Sequence, residues 1–362
     1  MYKKLIIVTT IVAVGVAILI LGQPHNYSKT IKIGVIAPLS GETASLGQKI
    51  RNGIELARTD THAGEHIQFI YEDGDITPKT ALTAYRKLTS VDKVDYIIGP
   101  FGPDQIMPIA PLLKSSDVLI GITLCDERFL KYPPVFCTYP SIPDQTRSGI
   151  RSVKTAGVQK LGLITQTGEL GDTIENELIK GQADGDYTLV RSDRLKPGDK
   201  DFRTIITKLK ASGVNGIYTA TLPDEGYILL KQLRDLGFSG RVFSVFDATE
   251  EKLRAMDTAA EGVYFPGHIS PQFEPNFVSE YTNTYGDTPD MYGAIGHSIA
   301  STLIEALIEN NFQKDELAKK LVGRNEKTAI DGFTFRTDHT VSVPVESLIF
   351  LNGKLNETGT LK

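Results

Sequence analysis

A chain of 362 residues, 41% hydrophobic and 23% charged, has the length of two domains and the composition of a globular protein. This composition excludes a chain that is disordered throughout. The formal net charge of -5 argues against nucleic acid as a partner, because surfaces that bind nucleic acid are rich in Lys and Arg.

The first 24 residues have the pattern of an export segment. Lys3 and Lys4 precede an apolar run from Leu5 to Leu21, and the chain turns polar at Gln23. A basic start followed by an apolar stretch is typical of a signal peptide, and a run of this length also reaches the lower limit for a membrane span. We therefore predict that residues 1–24 are a signal peptide or a retained single-pass membrane anchor. Either way the rest of the chain is extracytoplasmic, in the periplasm or at the outer face of the cell membrane.

From Ile31 onward, short β-branched runs alternate with amphipathic segments. The first series has predicted strands at Ile31–Ala37, Ile67–Tyr71, Tyr96–Ile98 and Val118–Ile122, with helices at Leu46–Arg58, Pro78–Ser90 and Pro108–Lys114. After a proline-containing passage, Tyr139–Pro143, the alternation resumes. The second series has predicted strands at Lys160–Thr165, Tyr187–Arg191, Gly216–Thr219 and Arg241–Val245, with helices at Gly171–Gly181, Phe202–Ala211 and Glu225–Leu236.

The remaining chain has predicted helices at Glu274–Tyr285 and His297–Asn310, followed by a β-rich tail. Alternation of strands and helices predicts parallel sheets covered by helices on both faces. Because there are two such series, the predicted fold is α/β, with two doubly wound parallel-sheet lobes.

Cys125 and Cys137 can form one disulfide in an oxidising compartment, although the sequence does not show that they are close enough.

Short motifs then occur in a recognisable order along residues 31–355. They include Ile33–Gly41, Tyr71–Asp75, Val94–Pro100, Ala260–Tyr264 and Asp331–Phe335. Together they resemble the type I periplasmic binding proteins of the branched-chain amino-acid (Leu/Ile/Val) group. The resemblance implies a Venus-flytrap fold, with an N-terminal lobe of residues 30–141 plus 269–331 and a C-terminal lobe of residues 142–268 plus 332–362. Three crossover strands, near 141–144, 264–270 and 331–334, would join the lobes around a ligand cleft.

The same resemblance places ten positions of this chain on cleft-facing loops, where the carboxyl ends of parallel strands form a binding crevice. These candidate ligand-binding residues are Leu46, Pro103, Asp104, Thr123, Cys125, Asp126, Glu127, Leu170, Leu222 and Asp247.

Several of these residues depart from the pattern of the amino-acid-binding members. In those members a serine-containing loop and an Ala-x-Thr turn hold the ligand's carboxylate and amino group. Here Pro103 or Asp104 stands near the serine, and Cys125 and Asp126 stand near the Ala and the Thr. Proline donates no backbone hydrogen bond, and an aspartate repels a carboxylate. Asp247 matches the family's acidic ammonium-binding position.

The acidic candidates Asp104, Asp126, Glu127 and Asp247 favour a cationic or hydroxyl-rich ligand. For the first three, a helix cap or a solvated loop is the alternative interpretation.

The resemblance implies a binding protein that closes on a small polar ligand, an amino acid or a related amine or amide, and delivers it to the permease of an ABC importer. The alternative is a membrane-anchored ectodomain that senses the ligand and signals to a membrane partner. Neither function is enzymatic, and we expect no cofactor. His62-Ala-Gly-Glu-His66 has the H-x-x-E-H spacing of some zinc proteases, but Gly64 and the strand that begins at Ile67 argue against the helix that such a site needs. We therefore expect no metal.

Overall fold

The computed structural model describes residues 30–61, 66–126, 128, 131–132, 134–246, 248–269, 273–313, 316–324, 328–343 and 345–358. The predicted export segment, residues 1–24, lies outside this part of the chain. So do residues 62–65, which hold most of the H-x-x-E-H motif.

The first sheet is entirely parallel, with strand order β2-β1-β3-β4-β5. Its strands are β1 (Ile31–Ala37), β2 (Ile67–Asp73), β3 (Tyr96–Phe101), β4 (Leu119–Cys125) and β5 (Val135–Ser141). The intervening helices are α1 (Ala44–Asp60), α2 (Pro78–Lys87) and the single turn α3 (Pro103–Ile106). Apolar side chains of β1, β3 and β4 are buried on both faces of the sheet, which is why these central strands are apolar almost throughout.

The second lobe begins at α4 (Ile142–Thr155). It continues through β6 (Lys160–Gln166), α5 (Glu169–Gly181), β7 (Thr188–Leu195), α6 (Arg203–Ala211), β8 (Gly216–Ala220), α7 (Pro223–Asp235), β9 (Arg241–Val245), α8 (Glu250–Ala255) and β10 (Val263–Ile269). These five strands pair in parallel.

The chain then returns to the first lobe. The returning elements are α9 (Pro275–Tyr285), α10 (Met291–Glu309), α11 (Leu317–Leu321) and a small antiparallel ribbon of β11 (Thr334–Phe335) and β12 (Val341–Ser342). Finally β13 (Val345–Leu351) and β14 (Lys354–Glu357) join the second sheet antiparallel, giving the order β14-β13-β10-β9-β8-β6-β7. The two parallel-sheet α/β lobes predicted from the sequence are confirmed.

The third passage between the lobes lies later in the chain than we expected from the sequence. Phe333, Phe335, Val341 and Val343 all belong to the hydrophobic core of the first lobe, and the ring of Phe335 packs edge-on against Phe136 of β5 at 5.2 Å. The chain therefore crosses after Val343 rather than near Asp331–Thr334, because these apolar side chains are buried against the first sheet.

Two elements at the first passage were missed by the sequence analysis. The proline-containing segment 139–143 is in fact the end of β5 followed directly by the start of α4. Proline is tolerated at both places, because β5 is an edge strand and Pro143 stands in the first turn of a helix, where the backbone N–H has no helical partner. The Ser141 side chain caps α4 by accepting a hydrogen bond from the Asp144 backbone N–H at 3.1 Å.

Helix α10 is the central helix of the first lobe. Within the described residues it is the one helix long and apolar enough to cross a membrane, but 89% of that apolar stretch is buried inside the protein. It crosses α1 at backbone contact distance, since a Cβ atom added to Gly53 would lie 1.9 Å from the carbonyl oxygen of Gly293. We interpret α10 as a core helix for this reason.

Candidate functional site

A cavity of about 710 Å³ lies between the two lobes. Its wall on the first lobe includes the end of β3 and the residues that follow it, from Phe101 to Gln105. Its wall on the second lobe includes residues 166–168, 220–223 and 244–246, which lie at the carboxyl ends of β6, β8 and β9. The carboxyl ends of parallel strands from both sheets therefore meet at one cleft, as expected for a ligand site in α/β lobes.

The described lining of the cavity combines aromatic walls with acidic edges. Six aromatic side chains contribute: Phe101, Tyr139, Tyr218, Phe246, Phe265 and Tyr292. The charged lining residues that the structure describes are Glu42, Asp75 and Asp104, and none is Lys, Arg or His. Such a cavity suits an apolar body that carries a neutral or cationic polar group.

Gln105 is the most buried polar residue of the first-lobe wall, at 1% exposure. Its side-chain Nε2 donates to the backbone carbonyls of Gly74 at 2.9 Å, Asp75 at 3.3 Å and Thr77 at 3.4 Å. Its Oε1 accepts no hydrogen bond from the described chain. The amide thus fastens the loop after β2 and leaves one acceptor unused.

Thr221 is a buried polar residue of the second-lobe wall that, like Gln105, has an atom without a hydrogen-bond partner in the described chain. It directly follows β8, is 9% exposed, and its Oγ1 has no hydrogen-bond partner within the described part of the chain. Nearby Thr219 differs, because its hydroxyl pairs with that of Ser244 at 2.7 Å. An unpaired buried hydroxyl costs free energy unless a ligand or solvent group meets it.

Glu225 positions three lining loops of the second lobe. Its carboxylate accepts hydrogen bonds from Gln166 Nε2 at 2.8 Å, from the Gly198 backbone N–H at 2.6 Å and from the Leu222 backbone N–H at 3.2 Å. Burial raises the pKa of Glu225, although these hydrogen bonds act in the opposite direction. Glu225 therefore holds the loops after β6, β7 and β8 together without itself lining the cavity.

Polar contacts join the lobes across the cleft. Asp104 Oδ1 accepts a hydrogen bond from the backbone N–H of Glu169, the first residue of α5, at 3.0 Å. Asp104 thereby caps a helix of the opposite lobe, a role that Gly168 at the N-cap position does not fill. Arg128 forms an ion pair with the Glu169 carboxylate, and Lys200 Nζ lies 3.3 Å from Glu42 Oε1. The lobes are therefore in contact around the cavity.

Asp126 serves as the fixed partner of Arg128. Its Oδ1 accepts from the Arg128 backbone N–H at 2.8 Å and from Nε at 2.9 Å, and the residue is 4% exposed. Burial acts to raise the pKa of Asp126, but the Arg128 hydrogen bonds and charge hold it below its usual value. Asp126 thus anchors the arginine that reaches the second lobe.

The lowered pKa of Asp126 predicts a specific acid dependence of stability. A carboxyl whose folded-state pKa lies below its unfolded value, about 3.9, stabilises the fold above that value and loses this contribution as the pH falls through the folded pKa. Asp126→Asn should therefore lower the melting temperature most above about pH 4. The difference in melting temperature between Asp126→Asn and the wild type should become smaller at lower pH. Thermal unfolding at several pH values measures this difference, and a difference that does not change with pH would contradict this role of Asp126.

The structure distributes the ten candidate residues unevenly. Pro103, Asp104, Leu170 and Leu222 line the cavity. Leu46 packs against the core of the first lobe, and Asp126 pairs with Arg128 and is not among the described lining residues. Thr123 and Cys125 belong to the last part of β4, but their side chains lie outside the described structure, as do Glu127 and Asp247 altogether. Cys137 is disulfide-bonded.

The sequence analysis missed Gln105, Thr221, Glu225 and Arg128. Gln105 and Thr221 are neutral, so charge did not single them out, yet both come just after strand ends. The spacing of Asp126 and Arg128, two residues apart, is the signal that would have indicated a local ion pair.

Comparison with known proteins identifies relatives of the whole two-lobed body. A family model described as periplasmic binding protein matches residues 30–347. The Leu/Ile/Val-binding protein BraC3 of Rhizobium johnstonii is 24% identical over 256 residues, which is 64% of this chain and 65% of that protein, slightly under two thirds of its length.

Solved structures show the same fold. The leucine-binding protein LivK from Thermotoga maritima has a TM-score of 0.76 at 21% identity, covering 90% of this chain and 97% of that one. A solute-binding protein of an ABC transporter from R. palustris, in complex with benzoate, has a TM-score of 0.80 at 18% identity. The match covers 91% of this chain and 95% of that one.

Proposed function

Because this chain belongs to the periplasmic binding protein family, we propose that it captures a small ligand between its lobes and delivers it to the permease of an ABC importer. The family places the body outside the cytoplasm. The observation that carries the proposal is the cavity, which both lobes line and which the Asp104–Glu169 and Arg128–Glu169 contacts bridge.

These contacts between the lobes explain how the permease would distinguish the protein with bound ligand from the empty protein. Groups on opposite lobes meet only when the lobes approach, so a ligand that stabilises the approach shifts the population toward the closed form. A permease that recognises the closed form then engages the loaded protein in preference to the empty one.

For the ligand we propose an amino acid or a related amine or amide. The relatives are named for leucine, isoleucine and valine, and one structural neighbour holds benzoate. These ligands share a small apolar body with one polar end, and the aromatic lining here suits that body. The acidic edge of the cavity supports a ligand whose polar end is an amine or amide.

A sensor remains the second candidate, and one observation favours it. The apolar run Leu5–Leu21 behind Lys3 and Lys4 is long enough to be retained as an anchor. In that case a membrane signalling partner would recognise the closed form.

Family membership supports solute binding rather than catalysis for either candidate. Among the described residues, no group of three or more His, Cys, Asp and Glu side chains is arranged to hold a metal ion.

Thermal unfolding of the purified chain against amino acids, amides, amines and aromatic acids tests the binding function. A ligand of the folded state at a hundred times its Kd stabilises by about 2.7 kcal/mol, which gives a clear rise in melting temperature. Leu170→Ala, in the cavity wall, should reduce this rise, whereas Leu46→Ala, at a position packed against the first-lobe core, should lower the melting temperature and leave the ligand-induced rise intact.

Uptake in cells then separates import from sensing. Deletion of the chain should abolish accumulation of the labelled ligand if it serves an importer, and should leave accumulation unchanged if it serves a signalling partner. Conversion of the ligand to a product by the pure protein would contradict both proposals.

A further inference from the structure

We propose that the edge of the first sheet where its strands begin is a membrane-contact surface, which lies on anionic lipid headgroups while the apolar run Leu5–Leu21 stays in the membrane as an anchor. The inference goes beyond the proposed function, which concerns the cavity, and it applies to import and sensing alike. It commits to a retained anchor rather than a cleaved signal peptide.

All five strands of the first sheet begin at one edge, because the sheet is parallel. Ile31 of β1 pairs with Ile67 of β2, at the first residue of both strands. The connection into β3 lies beside them, since the Asp95 backbone N–H donates to the Lys32 carbonyl at 2.8 Å. We use the term amino-terminal edge for the connections that lead into β3, β4 and β5, which are residues 88–95, 110–117 and 131–132.

The exposed apolar side chains of the first lobe are concentrated on this edge. Val91 is 70% exposed and Leu112 is 47% exposed, and these are the exposed large hydrophobic residues that the structure describes in this lobe. Their neighbours Val94 and Leu113 pack against the same core cluster, which holds the two connections together. Single exposed apolar residues are ordinary on a protein surface, so the argument depends on what accompanies them.

Lysines accompany them, and they face outward. Lys93, Lys114 and Lys131 are exposed, whereas the three aspartates of the same connections are half-buried. One of these, Asp117, accepts a hydrogen bond from the Lys114 backbone N–H at 2.7 Å. The exposed charge of the edge is therefore positive on a chain whose formal net charge is -5. Exposed lysines beside exposed apolar side chains are typical of surfaces that lie on anionic lipid.

The chain enters the first lobe at this same edge. Nine residues separate Leu21, the last residue of the apolar run, from Ile31, the first residue of β1. Nine residues span at most about 30 Å in any conformation. An anchored chain therefore keeps the amino-terminal edge close to the lipid at all times, which favours the lipid surface over a second copy or a soluble protein as the partner of this edge.

Contact at this edge leaves the ligand cavity accessible. The first-lobe wall of the cavity includes Phe101, at the carboxyl end of β3. A strand of seven residues, such as β1, is about 20 Å long. Lipid and ligand therefore meet opposite ends of the same sheet, and a change at the amino-terminal edge should not alter ligand binding.

Hydrogen–deuterium exchange of the full chain, anchor included, tests the contact. The chain is placed one copy per nanodisc, in discs of phosphatidylcholine alone or with phosphatidylglycerol, and is compared with the chain in neutral detergent. We expect the amides of residues 88–95 and 110–117 to exchange at least about fivefold more slowly in the anionic discs than in detergent. The exposed turn 183–186 of the second lobe is the internal control and should exchange equally in all three.

Two outcomes of this comparison would overturn the inference. One is equal exchange of the amino-terminal edge in anionic discs and in detergent. The other is slowing that occurs only when a disc holds two copies, which would make a second copy of the chain the partner of this edge.

Paired triple variants test the lysines. Lys93→Gln/Lys114→Gln/Lys131→Gln should return the edge in anionic discs to its exchange rate in neutral discs, because each lysine near an anionic surface changes the contact equilibrium about fivefold. The matched control removes three exposed lysines of the second lobe: Lys160→Gln, Lys208→Gln and Lys231→Gln. The control should keep the slow exchange. Equal loss of slowing in both variants would make net charge the cause and would overturn the assignment to this edge.

Two further measurements separate this inference from the proposed function. The intact mass of the chain recovered from cell membranes should include residues 1–24, and a chain cleaved near residue 24 would overturn the retained anchor. The ligand-induced rise in melting temperature should be the same in the first triple variant as in the wild type, so that failure of the membrane contact leaves ligand capture standing. Loss of that rise would place the edge in the ligand-binding machinery and overturn its assignment to the membrane.

Discussion

Replacing Arg128 by alanine should lower both the melting temperature and the fraction of closed protein. The change leaves the buried Asp126 carboxylate without its charged partner, at a cost of about 1–3 kcal/mol. It also removes the ion pair to Glu169, which joins the lobes. Thermal unfolding measures the first effect. Small-angle scattering of the ligand-free protein measures the second, as an increase in the radius of gyration.

Glu169→Ala separates these two effects. It removes the Arg128–Glu169 ion pair between the lobes but leaves the Asp126–Arg128 pair in place, together with the backbone hydrogen bond from residue 169 to Asp104. We expect the radius of gyration to increase as in Arg128→Ala, with a much smaller change in melting temperature. If Glu169→Ala scatters like the wild type, the ion pair does not control closure.

Gly53→Ala should strongly destabilise the first lobe. The added Cβ atom would lie 1.9 Å from Gly293 O and 2.8 Å from His297 N, both backbone atoms of α10. Because a backbone cannot rotate aside as a side chain does, α1 and α10 must separate, and the cost should reach the upper end of the roughly 1–3 kcal/mol typical of overpacking. The measurement is the midpoint of urea unfolding, monitored separately for each lobe by a spectroscopic probe placed in it.

Gly293→Ala is the matched control on the facing helix. The atoms nearest to its added Cβ would belong to the Tyr281 side chain, at 3.1–3.3 Å, so the required shift is a few tenths of an ångström of a side chain and not the separation of two backbones. Alanine also has a higher helix propensity than glycine, so we expect little loss of stability. Comparable losses in both variants would mean that glycine matters here for a reason other than the close approach of the two backbones.

The sequence predicted the positions of helices and strands well where the spacing of hydrophobic residues was regular. The predicted helix Leu46–Arg58 lies within α1, and the predicted strand Arg241–Val245 coincides with β9. Prediction failed where two prolines occurred close together, at Pro140 and Pro143. There an edge strand and a helix start accommodate proline, a circumstance that depends on the finished sheet and not on local sequence.

The candidate site was predicted less completely, for reasons of chemistry. The resemblance led to Pro103, Asp104, Leu170 and Leu222, all of which line the cavity. The resemblance also led to Asp126, whose carboxylate is in fact engaged by Arg128. Gln105 and Thr221 carry no charge, and both the hydrogen bonds of Gln105 to the loop after β2 and the unpaired hydroxyl of Thr221 are visible only in the three-dimensional structure.

The path of the chain between the lobes also determines when the first lobe is able to fold. Its sheet is finished at Ser141, but its hydrophobic core includes α10 and residues as late as Val343. A ribosome that adds about 5–20 residues per second needs roughly 10–40 s to cover that interval, during which the whole second series of strands is made. Until α10 is made, α1 alone of the core helices packs on the face of the first sheet that α10 covers, so the core of the lobe that is begun first is completed only after most of the chain has been synthesised.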